Sequence, residues 1–304
     1  MNQGIGAVSQ ILSMINRVSL GHNYFEIALI MKESMLLSKL LFNSEIWYNV
    51  TKDQYTKLER VDEMFMRRIF NVPISVPKES LYIESGCVPV KFHVKIRRLM
   101  YLWNILQLNK EELVFKFYTA QNLSSDKDDW VHQINKDKSD IDLQLSDKQI
   151  ANMSQEKFRE MVKRKTNIFA VRNLNEIKAR HSKTQNLTLS KICVAEYLCS
   201  KNLNKEEIQT LYKLRCRMIN VKMNSKSFHK ENIWCQTCFL FPETQQHLYV
   251  CPVLKTKFKH LIDFCEMDQK MIFQSLKRQE KFAKSYHMLL KAREDMLSAQ
   301  KDGE

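Results

Sequence analysis

Glycine is nearly missing from this chain. There are five, and none falls between Cys87 and Asp302. Proline is equally scarce, again five. Sandwiches and barrels turn every few residues, and turns draw on Gly, Pro and Asn, so an all-β fold is excluded. No stretch reaches the roughly 18–20 successive apolar residues that a bilayer span needs. The N-terminus lacks the basic, apolar and small-residue order of a secretory signal. No membrane partner is expected, and the setting is intracellular, nuclear or cytoplasmic.

What is present favours helix. The chain has 304 residues, 44% of them hydrophobic, which is enough for a sizeable core and argues against global disorder. Lys, Glu, Gln, Leu and Met are abundant, and all are good helix formers. The expected fold class is mainly α: a helical bundle followed by a basic helical region with a small Cys-Cys-His-Cys module.

Residues 7–48 read as two helices, broken at Gly21, with Asn23 a candidate cap; the second is apolar nearly all round and should be deeply buried. Thr51 to Phe70 is an amphipathic helix, with Thr51 and Gln54 spaced as a capping box. Pro73 and Pro77 predict an extended linker. A short helix from Ser80 should stop at Gly86, and a longer one runs from Val90 to Leu108. Residues 122–142, polar and acidic, read as a loop containing Trp130. Helix resumes over Ser146–Val171, over Lys191–Leu198 and Lys205–Met218, and over Lys270–Ala299. Four segments follow: 1–72, a first helical domain; 73–125, a helical connector; 126–190, a polar loop with a basic helix; and 191–304, a helical region holding the Cys/His cluster.

Charge is unevenly placed. The net of +14 lies almost wholly in residues 151–304, which carry 29 basic and 16 acidic side chains against 19 and 18 in residues 1–150. Such asymmetry points to a polyanion, and RNA or DNA is the expected partner rather than a small-molecule substrate. Two runs carry the excess. Residues 157–183 hold nine Lys or Arg against Glu160 and Glu176, and Lys213 to Lys230 holds six with no acid. Lysine or arginine that neutralises a phosphate releases bound counterions. Candidate nucleic-acid contacts are Arg159, Lys163, Arg164, Lys165, Arg172, Arg180 and Lys183 in the first run. In the second they are Arg215, Arg217 and Lys222, with Tyr212 and Asn220 close by. The bland alternative is a solvated helix face.

Cysteine usage is informative. Of eight, Cys235 and Cys238 join His247 and Cys251 in a C-x2-C-x8-H-x3-C pattern. Two Cys three apart bind one metal from a tight turn, and His and Cys four apart share a helix face. A short loop containing Pro242 folds the halves into a tetrahedral site. Thiolate with imidazole selects zinc over hard cations. Cys87, Cys193, Cys199 and Cys216 read as core thiols, and His260 and Cys265 as structural. Trp234, Phe239, Phe241 and Tyr249 are interleaved with the ligands. They either stack on unpaired bases or fill the small core of the module.

Several runs resemble one family. Leu41-Phe42-Asn43-Ser44-Glu45-Ile46-Trp47-Tyr48 is similar to the signature that follows the palm in non-LTR retrotransposon (LINE-type) reverse transcriptases. Leu58-Glu59 and Arg67-Arg68-Ile69 match the adjoining helix. Tyr82, Glu84, Gly86 and Pro89, then Ile96 to Leu102, follow in the family's order. Leu214-Arg215-Cys216-Arg217-Met218 resembles the run before the family's zinc knuckle, and Glu243-Thr244, His247-Leu248 and Cys251-Pro252 fit the knuckle itself. The resemblance spans about residues 4 to 255. It implies that residues 1–72 correspond to the polymerase thumb and the rest to a region that helps bind element RNA or target DNA.

The sequence also departs from that family. Polymerase chemistry needs two metal ions clamped by palm aspartates. The family's aromatic-Ala-Asp-Asp turn is absent, and Asp128-Asp129 sits in the polar stretch. After Cys251 no Pro-Asp pair is followed by Glu-x-Lys, as a restriction-like nuclease would need. The expectation is a nucleic-acid-binding remnant of a reverse transcriptase with no activity of its own. The alternative is a domesticated, zinc-dependent protein-interaction module.

Overall fold

The computed structural model describes residues 2–17, 21–124, 128–179, 184, 187, 189–224, 233–262, 272–273 and 275–301. Among them there is no β-strand, only an isolated bridge between Trp234 and Pro242, and helix dominates as the composition predicts. The helices are α1 (Asn2–Arg17), α2 (Tyr24–Met31), α3 (Leu37–Leu40), α4 (Lys52–Phe70), α5 (Lys78–Ser85), α6 (Val90–Leu106), α7 (Leu113–Leu123), α8 (Trp130–Asp140), α9 (Asp147–Ala151), α10 (Gln155–Lys178), α11 (Lys205–Arg215), α12 (His247–Val250), α13 (Pro252–Lys257), α14 (Lys259–Ile262) and α15 (Leu276–Lys301).

Local chemistry sets many boundaries. Thr51 Oγ1 accepts from Gln54 N at 3.2 Å while Gln54 Oε1 accepts from Thr51 N at 2.8 Å, the predicted capping box of α4. Ser146 with Gln149, and Asn204 with Glu207, repeat the device at α9 and α11. Gly86, at φ 65, closes α5 where it was expected to.

Other expectations fail for identifiable reasons. The second N-terminal helix runs over residues 24–40 with a π turn at Lys32–Leu36 inside it, but Ile30 faces solvent and Asn23 makes no side-chain cap bond. Pro73 to Pro77 forms turns rather than an extended linker, because Arg67 Nη1 donates to the carbonyls of Pro73 (2.9 Å) and Val76 (2.8 Å) and gathers the segment in. The polar stretch read as a loop contains α8. Asp129 caps it by accepting from His132 N at 2.7 Å, and Trp130, Val131 and Ile134 are buried. The long helix expected from Ser146 is broken at 152–154, where Ser154 caps α10 by accepting from Lys157 N. Residues 191–195 are not helical. Ala195 N donates to Glu84 O at 2.8 Å, tying this segment over the end of α5, and only a 3-10 turn follows at Glu196–Cys199.

Packing joins the chain's two ends. The largest buried cluster takes Val8, Ile11, Phe25, Phe65 and Phe70 from the first helices and Leu211, Tyr212, Leu248, Phe282 and Tyr286 from the last third. A second cluster gathers Leu99, Leu102, Trp130, Ile134, Phe158 and Val162 from α6, α8 and α10. Beside the second cluster Asp137 of α8, fully buried, pairs with Arg98 Nε at 2.7 Å and Lys95 Nζ at 2.9 Å of α6. No described helix is long and apolar enough to cross a membrane.

Candidate metal centre

Cys235, Cys238, His247 and Cys251 converge as their spacing predicts. One donor atom from each lies within 4.8 Å of all the others. A hairpin supplies the first pair. Glu243 N donates to Ile233 O at 2.7 Å and Cys235 N to Phe241 O at 2.8 Å, which places Trp234 opposite Pro242. Phe239, at φ 57, reverses the chain, and its N–H donates to Cys235 O at 2.9 Å. The single turn of α12 supplies His247 and delivers Cys251 at its end. Thr244 Oγ1 accepts from His247 N at 2.9 Å and starts that turn. Pro252 then opens α13 at the position where its missing N–H costs nothing.

Two of the six donor separations match those of a tetrahedral ion. Zinc–sulfur bonds of about 2.3 Å and zinc–nitrogen bonds of about 2.0–2.1 Å put sulfurs roughly 3.8 Å apart and sulfur roughly 3.6 Å from nitrogen. Cys235 Sγ lies 3.9 Å from Cys251 Sγ, and Cys238 Sγ lies 3.3 Å from His247 Nε2. Cys235 and Cys251 are buried, as is His247. Burial pushes the Cys251 thiol up to about 11. Burial also raises Cys238, but the N–H groups of Leu240 and Phe241 and the neighbouring thiols outweigh it and hold this thiol below its ordinary range. Burial lowers His247, against the charge of Glu243, so its imidazole is neutral and able to ligate.

Inside the module Thr237 Oγ1 lies 2.9 Å from Cys235 Sγ. Long-range contacts that the sequence did not signal hold the module in place. Glu243 accepts from Lys222 N at 2.9 Å and pairs with Arg293 of α15. Gln245 Nε2 donates to Leu214 O at 3.2 Å. Tyr249 is buried against Phe282 and Tyr286. The four interleaved aromatics therefore divide: Tyr249 is core, while Trp234, Phe239 and Phe241 are exposed.

The basic residues divide as well. Arg159, Lys163, Arg164 and Arg172 are exposed on α10, whose Phe158, Val162, Thr166, Ala170 and Leu174 face inward. Lys165 instead donates to Asp142, to the carbonyl at 2.9 Å and the carboxylate at 3.1 Å. Arg180 and Lys183 lie outside the described residues, as does Cys265. Arg215 is committed to Glu84, with Nε at 2.8 Å and Nη2 at 3.0 Å, and its guanidinium lies over Tyr197 and Phe273. Tyr212 is no surface contact: it is buried, stacks on Phe70 at 4.2 Å and shares a hydrogen bond with Ser80. Asn220 is exposed. Arg217 and Lys222 are half-exposed, and Arg217 takes a left-handed backbone, φ 53. Cys87 and Cys216 are buried as expected, but Cys193 and Cys199 are exposed, and so is His260.

No family model matches the chain, and neither curated proteins nor solved structures include a significant match to it.

Proposed function

We propose that this chain binds nucleic acid through its basic helices, is stapled by one zinc ion, and catalyses no reaction itself. The observation that carries the reading is the convergence of three thiols and one imidazole within 4.8 Å. Soft sulfur donors with one imidazole suit zinc, and four protein ligands leave no open position for chemistry. The role of the ion is structural: it locks the hairpin to α12. Helix α10 carries Arg159, Lys163, Arg164 and Arg172 exposed along its length. The similarity to the thumb and knuckle region of non-LTR retrotransposon reverse transcriptases supports the same reading, with this chain supplying gripping surfaces rather than the catalytic palm. Asp129 fits that view, since it serves as a helix cap.

A second reading, a zinc-dependent protein-interaction module, is favoured by apolar surface left open. Helix α7 exposes Leu113, Phe117 and Leu123. A groove of about 1330 Å³ between α1, α3 and α4 is lined by Leu40, Phe42, Trp47 and Leu58.

The deciding experiment is binding of the purified chain to structured RNA and to duplex DNA across a salt series, with zinc measured on the same sample. Sub-micromolar binding that weakens steeply with salt, with one zinc per chain, supports the first reading. A folded, zinc-loaded chain that binds neither probe at low salt overturns it and leaves the second.

A further inference from the structure

The metal hairpin turns its aromatic residues outward. Phe239, Leu240 and Phe241 follow Cys238 directly and are 70%, 62% and 53% exposed, and Trp234 is 48% exposed. Packing does not account for them. The module's interior consists of Cys235, Leu248, Tyr249, Cys251 and Leu254, all buried. Phe239 also occupies φ 57, a left-handed conformation in which Gly or Asn sits at less cost. An exposed ring on a strained residue adds nothing to stability, and such outliers point to function.

The rings are held in place by the residues that ligate. Phe239 N donates to Cys235 O, Phe241 O accepts from Cys235 N, and the Phe241 ring lies 5.7 Å from that of His247. The exposed charge within the segment itself is of one sign. Lys255, Lys257 and Lys259 are exposed just after the last ligand. Over residues 233–262 Glu243 is the one acidic side chain, and it is buried against Arg293.

We propose that Phe239 and Phe241, flanked by Trp234, form a stacking platform for the unpaired bases of a single-stranded nucleic acid, with the lysines after Cys251 at its phosphates. This inference rests on the nucleic-acid reading above and narrows it to single strands. Every base has a π-face, so the platform tolerates any sequence. A duplex keeps its bases stacked inside, and the rings then meet only backbone.

The test uses the full zinc-loaded chain and fluorescein-labelled probes of about a dozen nucleotides, matching the site size of known stacking grooves. The probes are single-stranded RNA, single-stranded DNA and a blunt RNA duplex. The expected result is tighter binding of either single strand than of the duplex. Phe239→Ala with Phe241→Ala should weaken single-strand binding about tenfold or more and leave duplex binding unchanged, with zinc content and helicity intact. Phe239→Trp should retain single-strand binding, and Phe239→Leu, which keeps apolarity without the ring, should lose it. Equal loss on all probes, or no loss, overturns the platform and leaves the basic helices as the binding surface. Absence of binding to any probe by the unaltered chain overturns the nucleic-acid reading itself.

Discussion

Arg293, on the last helix, pairs with Glu243, the residue that follows Pro242 in the metal hairpin, and both side chains are buried. The two lie 50 residues apart in sequence. This pair, with Tyr249 packed on Phe282 and Tyr286, docks the metal module on α15. Removing one partner of a buried pair leaves an uncompensated charge. Arg293→Met should therefore lower unfolding stability by about 3–5 kcal/mol. Adding Glu243→Gln to it should restore part of that loss, since the stranded charge is gone. Denaturant unfolding of the zinc-loaded single and double variants measures both. A double variant less stable than Arg293→Met would show that Glu243 matters through Lys222 N rather than through Arg293.

Metal removal should propagate along the same contacts. Chelation, or replacement of Cys238 by Ser or of His247 by Ala, should abolish zinc binding and lower the melting temperature. Structural zinc sites contribute folding free energy directly, on the order of 10 kcal/mol in isolated fingers, and less in a module with its own packing. Hydrogen exchange should rise in the hairpin and in the part of α15 around Phe282 and Tyr286, while α8 in the second core stays protected. Uniform loss of protection would mean that the module is not a separate cooperative unit.

These two predictions also mark what the sequence could disclose. The convergence of Cys235, Cys238, His247 and Cys251 was legible because the four donors lie within 17 residues and their spacing dictates the turn and the helix face. The cap of α4 was legible because Thr51 and Gln54 are neighbours on the first turn. Composition misled where charge is buried. Asp137 reads as part of a solvated loop, yet Arg98 and Lys95 neutralise it inside α8's buried face. Arg215 reads as a free cation, yet its partner Glu84 stands 131 residues earlier. Neither pairing has a local signature, because each is made by helices that meet only in the folded chain.

Gly86 tests one such meeting. Its φ is 65, and a Cβ placed on it would lie 2.3 Å from Cys193 C and Val194 N. The segment that passes over it is fixed by Ala195 N donating to Glu84 O. Gly86→Ala should destabilise by more than the roughly 1–3 kcal/mol of left-handed strain alone, because backbone has to move. Gly21 shares the positive φ but has open space around it, so Gly21→Ala should cost only the strain. Equal midpoints for the two variants in denaturant would contradict the close approach.

His93 predicts an acid limb. Burial, then the charge of Lys32, lowers its pKa to about 3 from the ordinary 6.5. The unfolded chain therefore takes up a proton as pH falls through 6.5, while the folded chain does so only near 3. The unfolded state binds more protons across that window, so stability falls as pH drops through it. The slope is at most about 1.4 kcal/mol per pH unit and is reduced by the solvent that reaches the ring. His93→Phe should flatten this limb. An unchanged slope between pH 6.5 and 3 in stability–pH curves would assign acid loss to other groups.

The basic side chains are of two kinds. Arg159, Lys163, Arg164 and Arg172 are exposed on α10 with open access to phosphate, whereas Arg215 is held by Glu84. Replacing the four by Ala should weaken duplex binding and make the plot of log affinity against log salt shallower by up to about 3–4 units, at roughly 0.9 per lost phosphate contact. Stability should barely change, since exposed charges contribute little. Arg215→Ala should do the reverse. It strands a buried carboxylate and should cost about 3–5 kcal/mol of stability, while the salt slope of the remaining folded protein stays the same. A fall in slope with Arg215→Ala at conditions where the chain is fully folded would place that guanidinium on phosphate and displace Glu84 as its partner.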